Sequence, residues 1–269
     1  MPETTVKAKP YISQSQLQLY EMCAEAYRRS YIENDKRPPG FVMVRGTAVH
    51  KGSQENFKYK IKKKKDLRER DIVEIAACSF DTEVEKGVTY TDIEKSIGLK
   101  KVKGEVKDQV VLMAHVFAQH IAPKYDPLYV EQEHRIVIPD FTHDLLARMD
   151  LCDTSNKIVD LKTSSKAKSK LTVKRVRDCS EQGSFYALVY KAITGKLPKA
   201  VVFENLITTG QYQTITGKKD MQDLGIIIAR INQMTKALKA GIFMPTNSMN
   251  WKCNPAYCGY WADCPYTNK

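Results

Sequence analysis

Long apolar runs are missing from this 269-residue chain. None approaches the roughly 20 residues needed to cross a bilayer, and Met1-Pro2-Glu3-Thr4-Thr5 carries no apolar stretch of the kind that opens a secretory signal. Both absences point to an intracellular protein, cytoplasmic or nucleoid-associated and of cellular or viral origin, with no membrane partner. Cysteine is too sparse for a disulfide scaffold: seven in a chain this long, under reducing conditions, read as metal-bound thiolates or buried thiols. Internal repeats and low-complexity tracts are absent. So is the Gly-x4-Gly-Lys-Ser/Thr loop of a nucleotide-driven helicase, which leaves any ATP-driven unwinding to a partner. Acid is deficient as well. Against 31 Asp and Glu stand 43 Lys and Arg, and the resulting charge of +12 favours a polyanionic partner. The 42% of hydrophobic residues still suffices for a sizeable core.

The pattern changes along the chain. Residues 13–33 read as one helix, capped by Ser13 or Ser15, with Leu17, Tyr20, Cys23, Ala24 and Tyr27 at helical spacing on a buried face. Pro38-Pro39-Gly40 interrupts the chain, and a helix beginning near Gly46 carries His50 inward. Residues 52–124 form a helical insertion that includes the charged run Lys62-Lys63-Lys64-Lys65. From Leu128 the period shortens to that of strands, over Tyr129–Ile138, Asp144–Leu151 and Lys157–Leu161, with a turn at Asp153–Asn156. A helix over Cys179–Ala192, a strand over Lys199–Leu206 and a long helix over Met221–Ala240 follow. The expected fold is α/β: one domain, a mixed central sheet flanked by helices.

The turn at Asp153–Asn156 makes the two preceding strands hairpin neighbours, so Asp150 and Asp160 converge. Two aspartates, with carbonyls and waters, suit a hard divalent cation such as Mg2+ or Mn2+, which activates water and polarises a phosphate oxygen. Lys162, two residues past Asp160, leaves the same strand face and offsets charge that develops on the phosphoryl group. His50 adds a nitrogen ligand or positions a metal-bound water. Lys62–Lys65, together with Lys166, Lys168, Lys170, Lys174, Arg175 and Arg177, forms a candidate phosphate-contacting surface. In the tail, Cys253-x4-Cys258-x5-Cys264 joins Cys23 as a four-thiolate set that suits zinc or an iron–sulfur cluster.

Taken in order, Ser13-x-Ser15-x-Leu17, Gly46-x-x-x-His50, Asp150, Asp160-x-Lys162-Thr163 and Gln182-x-x-x-Tyr186 resemble the motifs of the PD-(D/E)XK nuclease superfamily. The resemblance is to the group that includes RecB and AddB nuclease domains and CRISPR-associated adaptation exonucleases. It implies a restriction-endonuclease-like core with a helical N-terminal region. It also implies metal ligation by His50, Asp150 and Asp160, with Glu131 (or Glu133) contributing from the preceding strand. Gln182 then hydrogen-bonds near the scissile phosphate and Tyr186 orients substrate. One [4Fe-4S] cluster on Cys23, Cys253, Cys258 and Cys264 would staple residues 250–269 to residues 13–33. The chain departs from the family where glycine often precedes the first aspartate; here stand Ala147-Arg148-Met149. The implied activity is a metal-dependent DNA exonuclease acting at single-stranded ends, in recombination, repair or phage and mobile-element DNA processing, with a helicase or recombination protein as partner. A non-catalytic DNA-binding or recombination partner with a degenerate nuclease fold is the alternative.

Overall fold

The computed structural model describes residues 10–138, 142–165 and 174–267, the side chains of 174–180 excepted. Lys166, Lys168 and Lys170, and the side chains of Lys174, Arg175 and Arg177, therefore lie outside the described residues. Strand β1 (Tyr11–Ser13) leads into α1 (Gln14–Met22), whose start is a capping box: Ser13 Oγ accepts from Gln16 N and Gln16 Oε1 accepts from Ser13 N. The expected single helix over 13–33 is interrupted. Cys23 is extended (φ −163°, ψ 102°), α2 restarts at Ala24–Tyr27, and a π-helical turn follows over Arg28–Ile32. Ala24 N donates to Met244 O at 3.1 Å, so a tertiary bond from the C-terminal region meets the break. Cys23 is half-buried instead of facing the core.

A second helical group comprises α3 (Phe41–Lys63), α4 (Glu69–Glu85), α5 (Asp92–Ile97) and α6 (Leu99–Val116). The first of these begins at Phe41, five residues before the expected start, because Gly40 already supplies the extended N-cap. It runs through residue 52, which is a contact point: a Cβ on Gly52 would come within 3.1 Å of Ile72 O on α4. The lysine run closes α3. Lys64 is the left-handed C-cap (φ 58°), Lys62–Lys65 are exposed, and Lys60 alone turns inward, bonding Asp66 and Ala122 O.

Strands β2 (Pro127–Ile136), β3 (Asp144–Asp153), β4 (Lys157–Ser164), β5 (Ala200–Ile207) and β6 (Tyr212–Gly217) complete one mixed six-stranded sheet with β1. Its order is β1-β3-β4-β5-β6, and β2 pairs with β3 as well. The β3–β4 turn is held by Asp153, whose carboxylate accepts from Ser155 N and Lys157 N, while Asn156 takes φ 63°. Strand β5 is buried on both faces, as a central strand should be. Val202 and Leu206 pack with Phe41, Phe57 and Ile72 of the α3–α6 layer and with Phe117 in the π-helical turn that follows α6. Val201 and Phe203 face α7 (Lys174–Thr194) and α8 (Met221–Lys239), against Phe185, Ile227 and Ile231. Glu204, fully buried in β5, accepts from Tyr125 OH (2.6 Å), Lys124 Nζ (3.1 Å) and Thr214 Oγ1 (2.7 Å), which offsets the cost of placing a carboxylate there. Among the described residues no helix is long and apolar enough to cross a membrane.

Candidate metal site and thiolate cluster

The cleft forms where the sheet parts. Strands β3 and β4 pair only at Leu151↔Val159 and Cys152↔Ile158, and one register step further stand Asp150 and Asp160. Beyond the ladder, Leu161 N–H finds the Asp150 side chain, donating to Oδ2 at 2.9 Å. The strands also change phase here. Leu145, Ala147 and Met149 pack toward α7 and α8, yet past Asp150 it is Cys152 that does so, while Leu151 faces the opposite layer. On β2 the step falls at Glu131, where φ is +51°, in the stretch between Val130↔Leu151 and Gln132↔Met149. This backbone shift frees Glu131 and Asp150 from the alternation and directs both into the cleft. Glu133 does not join them; it lies 3.7 Å from Arg148.

Helix α3 delivers the histidine. A Cβ on Gly46 would stand 3.4 Å from Thr163 Oγ1, so the missing side chain lets the helix lie close over β4, and His50 follows one turn later. His50 Nδ1 is 3.3 Å from Asp150 Oδ2. Ligand atoms of His50, Glu131 and Asp150 all lie within 4.8 Å of one another. Asp160 is outside that trio, 1% exposed, with Lys162 Nζ 2.6 Å from its Oδ2 and Gln182 Nε2 donating to its Oδ1 at 2.9 Å. Gln182 also donates to Tyr186 OH at 2.8 Å, as expected of residues four apart on one helix face.

The electrostatics are those of crowded, desolvated acids. Burial pushes Asp160 up to about 6, with the Asp150 carboxylate adding to the shift and Lys162 opposing it. Glu131 is raised by burial and then by Asp150, and burial holds the Tyr186 phenol neutral, far above its ordinary range. Burial and mutual repulsion both disfavour charge on Asp160 and Glu131. A divalent ion would relieve that repulsion, and the mixed oxygen and nitrogen donor set suits one.

The chain ends meet at a second site. Tyr260 OH donates to Asp35 O at 2.6 Å, Arg37 Nη2 to Asp263 Oδ2 at 2.7 Å, and Arg29 Nη2 to Asp263 O at 3.1 Å. Cys23, Cys253, Cys258 and Cys264 gather beside these contacts. Burial raises the Cys258 thiol, and the neighbouring Cys23, Cys264 and Cys253 add to the rise; Cys253 is raised likewise by burial, Cys23 and Cys264. Among the described residues, no three of these sulfurs lie within 4.8 Å of one another. Of the remaining thiols, Cys152 is buried and Cys78 is exposed on the wall of the metal cleft.

Residues that sequence reasoning did not assign also line the cleft, notably Gln18 and Arg148. The signal for Arg148 was its place two residues before Asp150 on one strand.

Comparison with solved structures places the chain beside an exonuclease, provisionally so named, from Eubacterium rectale: 13% identity, TM-score 0.56, covering 97% of this chain and 90% of that one. At such identity the likeness concerns the fold alone. SSO0001 (12% identity, TM-score 0.46, covering 97% and 88%) and LHK-Exo in complex with dAMP (13%, TM-score 0.33, covering 72% and 92%) superpose too loosely to add to it. No curated protein matches the sequence. The profile of the PD-(D/E)XK nuclease superfamily, however, matches residues 11–265, nearly the whole chain and every element that builds the cleft, and the chain therefore belongs to the PD-(D/E)XK nuclease superfamily.

Proposed function

We propose that the protein is a divalent-metal-dependent DNA exonuclease that hydrolyses phosphodiester bonds at single-stranded ends. The observation that carries this reading is the convergence of His50, Glu131 and Asp150 within 4.8 Å beside the ion pair of buried Asp160 with Lys162. His50, Glu131, Asp150 and Asp160 would hold Mg2+ or Mn2+, whose bound form supplies an acidified water and Lewis-acid polarisation of a phosphate oxygen. Asp150 is oriented for this by Leu161 N–H and Asp160 by Gln182. Lys162 neutralises Asp160 at rest and turns toward charge that builds on the phosphoryl oxygens. Tyr186, kept neutral, donates its proton in a hydrogen bond to substrate. The basic surface, beginning with Lys62–Lys65, adds phosphate attraction, and a helicase or recombination protein would supply unwound ends.

Circular and linear single-stranded DNA of one sequence, each incubated with Mn2+ and Mg2+, test the reading. Mononucleotides or short oligonucleotides from the linear form, with the circle intact, are the expected products; equal attack on the circle refutes the exonuclease reading. Gly46→Val adds methyl groups where one Cβ already meets Thr163 at 3.4 Å, tilting α3 away from β4 and His50 from Asp150. It should lower Mn2+ affinity by about 10- to 100-fold, with Gly46→Ala retaining most of it, as titration calorimetry would register.

For the tail we propose a structural [4Fe-4S] cluster on Cys23, Cys253, Cys258 and Cys264. A single zinc with bonds of about 2.3 Å draws its sulfurs to about 3.8 Å from each other. That no three of these sulfurs lie within 4.8 Å of one another supports the bulkier group, and metal binding to the thiolates would relieve the burial that raises Cys253 and Cys258.

A further inference from the structure

Arg148 is unused by either site. It stands on β3 two residues before Asp150 and across the register from Glu133, with 63% of its side chain exposed. Its nearest anion, Glu133 Oε2 at 3.7 Å, is beyond hydrogen-bond reach, so the five N–H donors of its guanidinium make no hydrogen bond among the described residues. Glu133 is itself half-exposed, and such a rim pair is weak and readily exchanged.

The cleft has two arms that meet at this residue. One arm, of about 700 Å³, runs past Ser13 and Ser15 of the opening segment to Gln182 and Tyr186. The other, of about 1230 Å³, holds His50, Glu131 and Asp150 and continues between α3 and α4. Gln18, Arg148 and Lys162 border both arms. Lys162 is held by Asp160, which leaves Arg148, among the described residues that border both arms, as the cation whose charge is only loosely matched. Two residues along a strand span about 6.6 Å, so Arg148 reaches past the metal-binding carboxylates to the neighbouring part of a strand lying in the cleft. A planar guanidinium fork matches two phosphate oxygens at once.

We infer that Arg148 binds the backbone phosphate adjacent to the one being cut, tethering the DNA strand where it passes from one arm of the cleft to the other. Glu133 parks the guanidinium on the rim until the strand displaces it. The inference rests on the DNA-cleaving reading, but its test does not require cleavage.

Fluorescence anisotropy of a labelled oligodeoxythymidylate, with Ca2+ in place of Mg2+, gives the affinity across a salt series. Arg148→Ala should weaken binding about tenfold and flatten the log Kd against log salt slope by about 0.7, the value for one phosphate on a single strand. Arg148→Lys should keep the slope while binding more weakly than wild type. Glu133→Gln should tighten binding in the wild-type background and do nothing in Arg148→Ala. Arg148→Gln repeats the neutral substitution with a polar side chain, and the melting temperature of each variant checks its fold. An unchanged affinity and slope in a folded neutral variant overturns the inference, as does equal tightening by Glu133→Gln with and without Arg148. If those failures accompany Asp150-dependent cleavage, only the role of Arg148 falls; a slope change in a protein that never cuts DNA overturns the catalytic reading instead.

Discussion

Asp150→Asn is expected to lower metal-supported DNA cleavage by on the order of 10³-fold or more, since it removes several kcal/mol of ligand charge from the site. Asparagine is the informative replacement. Its carbonyl oxygen can still accept from Leu161 N–H, which the Asp150 carboxylate now does at 2.9 Å, whereas alanine would leave that backbone donor unpaired where the β3–β4 ladder ends. Asp160→Asn should be comparably severe. Lys162→Met should separate rate from binding: the ammonium 2.6 Å from Asp160 is lost, single-turnover cleavage falls sharply, and more of the Mn2+ affinity survives. Single-turnover rates and Mn2+ titrations on the three variants check this pattern. Wild-type cleavage by Asp150→Asn or Asp160→Asn would refute the assignment of those carboxylates.

The other large effect concerns the tail. Replacing Cys258 by serine should cost on the order of 3 kcal/mol, by analogy with cross-links that close long loops, and lower Tm by about 6–9 °C for a chain of this size. Ties between the ends such as Arg37 to Asp263, Arg29 to Asp263 and Tyr260 to Asp35 lie at the exposed or part-buried surface and would not make up for the loss of a ligated staple. Anaerobically purified protein should be brown, with about four iron and four sulfide per chain, and calorimetry should show the Tm loss together with the bleaching. One zinc without sulfide would keep the staple and refute the cluster; neither metal in protected protein would reject both.

Much of the site was legible because its signals are local. The turn Asp153–Asn156 forces its two strands together, so Asp150 opposite Asp160 follows from counting back through the hairpin, and Lys162 follows from strand period. The spacing of Gln182 and Tyr186 likewise survives into α7. What sequence could not give depends on tertiary partners. The helix expected through Cys23 breaks because Met244 O, over 200 residues away, takes Ala24 N–H. The phase change at Glu131 and Asp150 needs a positive φ at a non-glycine residue, which no alternation pattern announces; for that reason Glu131 and Glu133 looked equivalent on one face, although only Glu131 reaches His50. Strand β1 escaped notice because three residues carry too short a period to count, and β6 because none of its six residues is buried, so no apolar face marks it. The exposed Arg148 left no apolar signature.

The central claim is that DNA hydrolysis at the His50–Glu131–Asp150 group requires a divalent metal. End-labelled linear single-stranded DNA incubated with wild-type protein and with Asp150→Asn, in Mn2+, in Mg2+ and in EDTA followed by metal add-back, tests it most directly. Cleavage by the wild type in either metal, its loss in EDTA, its return on add-back and its near absence in Asp150→Asn are the predicted results. No cleavage by folded wild-type protein in either metal, or cleavage that persists in EDTA, would contradict the account.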